Sequence, residues 1–254
     1  MSKIGVFDSG MGGLTFLKPA HLLLPHEDFI YYGDTANAPY GTKAPGDVLK
    51  WIDTGVQFLL SMGVQALVLA CNTASSVAVE SLRQTYSIPI IAMEPAIKAA
   101  QAIAKGKIVV LATELTLKLP KFRNLMERYP QNLSAVPVYG LVELIERGIT
   151  EGKEVTDCLH RALEGVTEGS GIDTLVLGCT HYPFVRDSIR GIVGPETKII
   201  DGTLGTIRHL REVLTENHLL CEDTAGSVSL HASDSTHGTL HRMEQLLRHY
   251  TPEI

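Results

Sequence analysis

This chain has little cysteine, and no pattern that would bond it. Four cysteines in 254 residues, with no CxxC pair and no regular spacing, do not make a disulfide framework. No apolar run reaches the roughly 18 residues that a membrane-spanning helix needs. Met1-Ser2-Lys3-Ile4-Gly5 leads straight into a strand-like run, without the pattern of a signal peptide. A reducing cytoplasm, where thiols stay free, is the expected setting. There is no basic cluster and the net charge is −6, so neither nucleic acid nor a membrane is an expected partner. An acidic chain can still hold a small anion where helix N-termini supply donors. Low-complexity segments and flexible linkers are also missing, so the parts of the chain should pack closely. Gly10-Met11-Gly12-Gly13 follows a strand-like run, but Thr15 stands where the dinucleotide fingerprint GxGxxG needs its third glycine. These glycines are read instead as allowing a tight turn or a close approach of the backbone to a small ligand.

What is present suits a globular protein of one large or two ordinary domains. Hydrophobic residues make up 44% and charged residues 20%, enough for a full core. Strand-like runs recur at 3–7, 29–33, 65–70, 88–93, 107–112, 134–139, 173–178 and 197–200, with helical patterns between most of them. Val48, Leu49, Ile52, Val56, Leu59 and Leu60 follow a helical spacing. The run 227–232 is a late strand at a sheet edge, and Leu240, Met243, Leu246, Leu247 and Tyr250 mark a closing helix. Strands alternating with helices predict an α/β fold with parallel sheets.

Two of the cysteines stand in matching sequence. Ala66-Leu67-Val68-Leu69-Ala70-Cys71-Asn72-Thr73 reappears as Thr174-Leu175-Val176-Leu177-Gly178-Cys179-Thr180-His181, offset by 108 residues from 71 to 179. Each is a short apolar run ending in a thiol, followed by polar residues that can start a helix. The repeat predicts two related halves facing each other. A helix start favours a thiolate and should lower each thiol below its ordinary pKa. Two equivalent thiols across one cleft suit a reaction that takes a proton from one face of a carbon and returns one to the other, without a cofactor. Cys158 is expected inside an amphipathic helix and Cys221 in a loop. A metal held by Cys71, Cys179, His181 and Asp8 would lack the usual close ligand pairs.

In an open parallel sheet, ligands bind beyond the carboxyl ends of the strands. That rule gathers Asp8, Ser9 and Gly10, Gly33 and Asp34, Cys71, Asn72 and Thr73, Thr113 and Thr116, and Cys179, Thr180 and His181 at one cleft. Asp8 could serve a ligand or simply cap the next helix. Asn72, Thr73 and Thr180 are expected N-caps that also face the ligand. His181, two residues past Cys179, could tune or relay its proton. Pro39-Tyr40-Gly41-Thr42-Lys43 is a turn by composition, offering main-chain donors, a phenol and a cation to a carboxylate.

Taken together, the motifs Ile4-Gly5-Val6-Phe7-Asp8-Ser9-Gly10-Met11-Gly12-Gly13, Tyr32-Gly33-Asp34-Thr35, Pro39-Tyr40-Gly41, Ala70-Cys71-Asn72-Thr73-Ala74-Ser75 and Gly178-Cys179-Thr180-His181-Tyr182-Pro183 resemble those of bacterial glutamate racemases, in order and over essentially the whole chain. The resemblance implies cofactor-independent interconversion of L- and D-glutamate in the cytoplasm, supplying D-glutamate for peptidoglycan, by a homodimer. It implies two pseudo-symmetric Rossmann-like α/β domains with mainly parallel sheets: residues 1–96 plus 209–254, carrying Cys71, and residues 97–208, carrying Cys179. It assigns proton abstraction from D-glutamate to Cys71 and from L-glutamate to Cys179, assisted by Asp8 and His181. Substrate binding falls, by the same resemblance, to Asp8, Ser9, Tyr40, Gly41, Asn72, Thr73, Thr113, Thr116, Thr180 and His181. Ala112, Leu119 and Glu143 depart from the family pattern, while Glu146 keeps the family's acid. An aspartate or other amino-acid racemase is the nearest alternative, and a nucleotide-binding protein a more distant one.

Overall fold

The structure is a computed structural model that describes residues 2–130, 132–166, 171–221 and 225–254. Its strands are β1 (Lys3–Asp8), β2 (Asp28–Gly33), β3 (Ala66–Leu69), β4 (Ile90–Ala92), β5 (Ile108–Ala112), β6 (Leu133–Pro137), β7 (Thr174–Leu177), β8 (Lys198–Asp201) and β9 (Val228–Ala232). They form two sheets, in the order β4-β3-β1-β2-β9 and β6-β5-β7-β8. Every pairing is parallel. Read from the opposite edge, the second sheet runs β8-β7-β5-β6, the same order as β4-β3-β1-β2. So β3, which leads to Cys71, and β7, which leads to Cys179, hold equivalent places. The expected late strand is β9, at the edge beside β2.

The inner strands read as continuous apolar runs because both their faces are covered. In β1, Ile4 and Val6 enter one core with Phe29, Tyr31, Leu210 and Met243, while Phe7 faces another with Val48, Ile52 and Leu69. The second sheet divides in the same way: Val109, Leu111 and Leu175 pack on one face, Val110, Val176 and Phe122 on the other. Successive side chains point to opposite faces, and this period of two sorts them. Helix Pro45–Ser61 opens on a proline, which costs nothing where the N–H has no helical partner. Val48, Ile52, Val56 and Leu59 are its buried stripe, whereas Leu49 stands 37% exposed. The closing helix spans His237–His249 and buries Met243 and Leu246. No helix among the described residues is long and apolar enough to cross a membrane.

The chain passes between the halves twice, after β4 and after β8. The expected return at residue 209 falls inside one continuous helix, Thr203–Glu216. Its buried face, Ile207, Leu210 and Leu214, packs into the core of the first sheet. We therefore propose a division at the turns near residues 93–96 and 202, since a helix cannot be shared between two cores without tearing its apolar stripe. A Cβ on Gly202 would come within 2.4 Å of the Glu94 carbonyl oxygen, so the two crossings touch.

Candidate active site

Cys71 is the N-cap of helix Asn72–Thr85, and its Sγ accepts the Ala74 N–H at 3.4 Å. It donates to Ser9 Oγ at 3.3 Å. The cap is thus the cysteine itself, with Asn72 and Thr73 inside the first turn. The thiol is not lowered as its helix start predicts. Burial pushes it up to about 12, helped by the Asp8 carboxylate and opposed by the hydrogen bonds it shares with Ser9 and Ala74. Loss of water outweighs the helix end because a thiolate is poorly stabilised in an apolar core.

Asp8 ends β1 with no exposed surface. Its Oδ1 accepts the Gly10 N–H at 2.9 Å and its Oδ2 the Thr180 hydroxyl at 3.0 Å, from the opposite half. The next helix, Leu14–Leu23, has Gly13 as its N-cap and no side-chain cap, so Asp8 is not a cap. Burial raises its pKa, against the positive charge of His181.

On the other side, Cys179 Sγ lies 3.7 Å from His181 Nδ1. His181 Nε2 lies 2.6 Å from Glu146 Oε1, which also accepts the Met11 N–H at 2.7 Å. Burial works against a charged imidazole here. The hydrogen bonds to Cys179 and Glu146, and their charges, outweigh it and hold His181 well above its ordinary pKa. An imidazolium donates from both nitrogens, toward the Cys179 sulfur on one side and Glu146 Oε1 on the other. Thr180 is not a cap: a 3-10 turn, Tyr182–Val185, follows it, and its hydroxyl is given to Asp8.

Three threonines meet where the halves touch. Thr73 Oγ1 lies 3.0 Å from Thr113 Oγ1 and 2.9 Å from Thr116 Oγ1, and the last two are 2.9 Å apart. Asn72 Oδ1 is buried and has no hydrogen-bond donor among the described residues. The Tyr40 phenol is not offered to a ligand, because its hydroxyl donates to Asp34 Oδ2 at 2.5 Å. Lys43 is exposed, whereas Gly41 is buried against Thr113. The glycine run serves a purpose different from the one expected. A Cβ on Gly10 would fall 2.0 Å from Glu146 Oε1, and one on Gly12 would fall 2.3 Å from His181 Nδ1. The close approach is that of the other half of the protein.

Glu146 and Thr15 are the contributors that pattern reading did not place at the cleft, whereas Asp34 was gathered there by its place after a strand. Glu146 could be suspected only from its family match. Thr15, noted as a missing glycine, donates to the Thr180 carbonyl at 2.8 Å. Among the departures, Ala112 is fully buried at the end of β5, Leu119 packs partly buried against the first half, and Glu143 is exposed.

Two parallel α/β halves, each ending its equivalent strand in a buried thiol, define a protein of the racemase class. The chain belongs to the Asp/Glu/Hydantoin racemase family, whose model matches residues 19–210. A curated glutamate racemase of Clostridium novyi is 47% identical over 232 residues, covering 89% of each chain. The structure of the glutamate racemase isoform RacE1 of Bacillus anthracis superposes with a TM-score of 0.88 at 31% identity, over 99% of this chain and 96% of that one. That of the Francisella tularensis glutamate racemase, in complex with D-glutamate, gives 0.83 at 31% identity, over 100% and 97%.

Proposed function

We propose that this protein interconverts L- and D-glutamate, with Cys71 and Cys179 as acid and base on opposite faces of the α-carbon. The pair of buried thiols past equivalent strands carries the reading. In the L-to-D direction the Cys179 thiolate takes the α-proton, and the Cys71 thiol delivers its own to the other face. The reverse direction exchanges the roles. The His181 imidazolium, braced by Glu146, sets a positive charge beside the Cys179 sulfur. Cys71 stays a thiol until a cation arrives, because burial and Asp8 hold it near 12. The ammonium of a bound amino acid brings that charge.

The α-carbon beside an ionised carboxylate is weakly acidic, so donors aimed at the developing charge lower the barrier. Ser9, Thr180 and the backbone of the turn at Tyr40–Gly41 belong, by family resemblance, to the groups that hold the substrate's carboxylates and ammonium. Asn72, with its unpaired buried oxygen, suits the ammonium. The hydroxyls of Thr73, Thr113 and Thr116 suit the side-chain carboxylate. By family resemblance the product supplies peptidoglycan synthesis, in the cytoplasm, and the working form is a homodimer.

Circular dichroism with each enantiomer tests the reading. Cys71→Ser and Cys179→Ser should each cut turnover in both directions by at least about 10²-fold. In deuterated water the new enantiomer should carry solvent deuterium while recovered substrate stays protiated early. Early deuterium in recovered substrate, or near-normal turnover by either serine variant, would refute two opposed thiols.

A further inference from the structure

Asp34 directly follows β2 and is 2% exposed, and its carboxylate's hydrogen bonds go to Asn37 and Tyr40 rather than to a thiol or to the three threonines. Its carboxylate collects three hydrogen bonds. Tyr40 Oη donates at 2.5 Å, and Asn37 Nδ2 reaches both oxygens at 3.0 Å. The Asp34 N–H is anchored to the Asp8 carbonyl at 2.9 Å, so the carboxylate is fixed to the end of β1. Tyr40 is 1% exposed, its ring 5.8 Å from that of Trp51. Burial, and then the Asp34 carboxylate, hold the phenol far above its ordinary pKa, so its one proton remains committed to Asp34. Tyr40 begins the 3-10 turn Tyr40–Thr42. The next residue, Gly41, lies so close to Thr113 that a Cβ on it would stand 2.7 Å from Thr113 Cβ. Thr113 in turn meets the Thr73 hydroxyl, two residues past Cys71.

We propose that Asp34 is a positioning residue: it grips the Tyr40 hydroxyl and thereby sets where the Tyr40–Thr42 turn lies against Thr113 and the pocket. A charged acceptor at 2.5 Å, itself held by Asn37 and by the Asp8 backbone, leaves the turn one place to sit. The inference rests on the glutamate racemase reading, and deepens it by assigning the buried phenol to alignment rather than to ligand contact. Asp34 acts through Tyr40 and touches no reacting atom.

The test compares Asp34→Asn, Asp34→Ala and Tyr40→Phe in the full-length protein, with glutamate as substrate. Asparagine keeps an acceptor for the phenol and alanine does not. Asp34→Ala and Tyr40→Phe should each raise KM about tenfold or more, with a smaller change in kcat and an unshifted pH profile of kcat. Asp34→Asn should fall between them and wild type. Tyr40→Phe added to Asp34→Ala should cost nothing further, since both remove the same bond. Trp51 is the single tryptophan, so its emission reads the ring beside it whichever amino acid is turned over. It should shift in Asp34→Ala and in Tyr40→Phe. If KM and Trp51 emission in Asp34→Ala match wild type, the positioning role is wrong. Equal losses in kcat and kcat/KM with a moved pH profile would also overturn it, because Asp34 would then be acting on the proton-handling groups. If the wild type does not racemise glutamate while Asp34→Ala and Tyr40→Phe still shift Trp51 emission, the substrate reading is refuted and the grip on the turn is upheld.

Discussion

Cys71 and Cys179 hold equivalent places but meet unlike neighbours. Cys179 has a cation beside it, braced by Glu146. Cys71 has a hydroxyl, an amide and, nearby, the negative charge of Asp8. The cost of that arrangement falls on Asp8, whose folded-state pKa is raised by burial. A raised pKa means that the folded protein binds the proton more tightly than the unfolded chain. Stability from this group is therefore fully present below the ordinary carboxylate pKa and is lost as pH rises through the folded value. Asp8→Asn removes the buried charge and keeps an acceptor for the Gly10 N–H. We expect it to melt above wild type at neutral pH, to lose that advantage near pH 4, and to turn over more slowly. Thermal melts across pH with parallel rate measurements check this. An advantage that grew on acidification would contradict the sign.

At the scale of elements, the loop after β1 is what lets the two strand ends meet. Gly10 and Gly12 have no side chain where Glu146 and His181 need the space. The Cys179 motif docks into that loop through Thr15, Met11 and Asp8. Gly12→Ala would place a methyl 2.3 Å from His181 Nδ1 and 2.5 Å from Thr180 Oγ1. Overpacking of this kind costs about 1–3 kcal/mol, and a displacement near 1 Å costs roughly 10²-fold in rate. We expect a Gly12→Ala variant that still folds, melts lower and loses at least that much in kcat. Gly205→Ala, inside helix Thr203–Glu216 with nothing within 4 Å of the added Cβ, is the control. It should gain about 0.5–1 kcal/mol, as alanine does over glycine in a helix, and keep its rate. Equal rate losses in both variants would remove the loop from the argument.

The whole molecule is two like sheets that close on one another. Asp8, Cys71, Thr73, Thr116, Thr180 and His181 are each no more than 5% exposed. We expect a substrate to enter only as the halves part; the two crossings near Glu94 and Gly202 touch one another. A groove of about 1100 Å³ lined by Glu94, Asp201, Gly202 and Arg186 lies at those crossings and contains none of the site residues. A ligand that bridges the halves should hold them together. At 100 times its dissociation constant D-glutamate should add about 2.7 kcal/mol, raising the melting temperature by roughly 5–10 °C. Aspartate at the same concentration should add far less, because its shorter side chain leaves the threonine hydroxyls unpaired. Equal shifts from the two acids would remove those hydroxyls from substrate choice.

Much of this was written locally. The alternation of apolar strands and amphipathic helices marks the nine strands of the described residues within a few positions, because burial on a sheet or helix repeats with a fixed period. The matched motifs at Cys71 and Cys179 disclosed the two halves, since equivalent strands need equivalent residues. Only the folded chain decided who meets whom. Glu146 takes the Met11 N–H from 135 residues away, and no local pattern encodes a contact at that separation. Tyr40 reads as a free phenol in its turn, and Asp34 as the end of a strand, until the fold joins them. The thiol of Cys71 follows the same rule. Its helix start is visible in the sequence and argues for an easily ionised group. Its pKa near 12 comes from the water that both halves exclude, a sum over three-dimensional surroundings that a linear chain does not display.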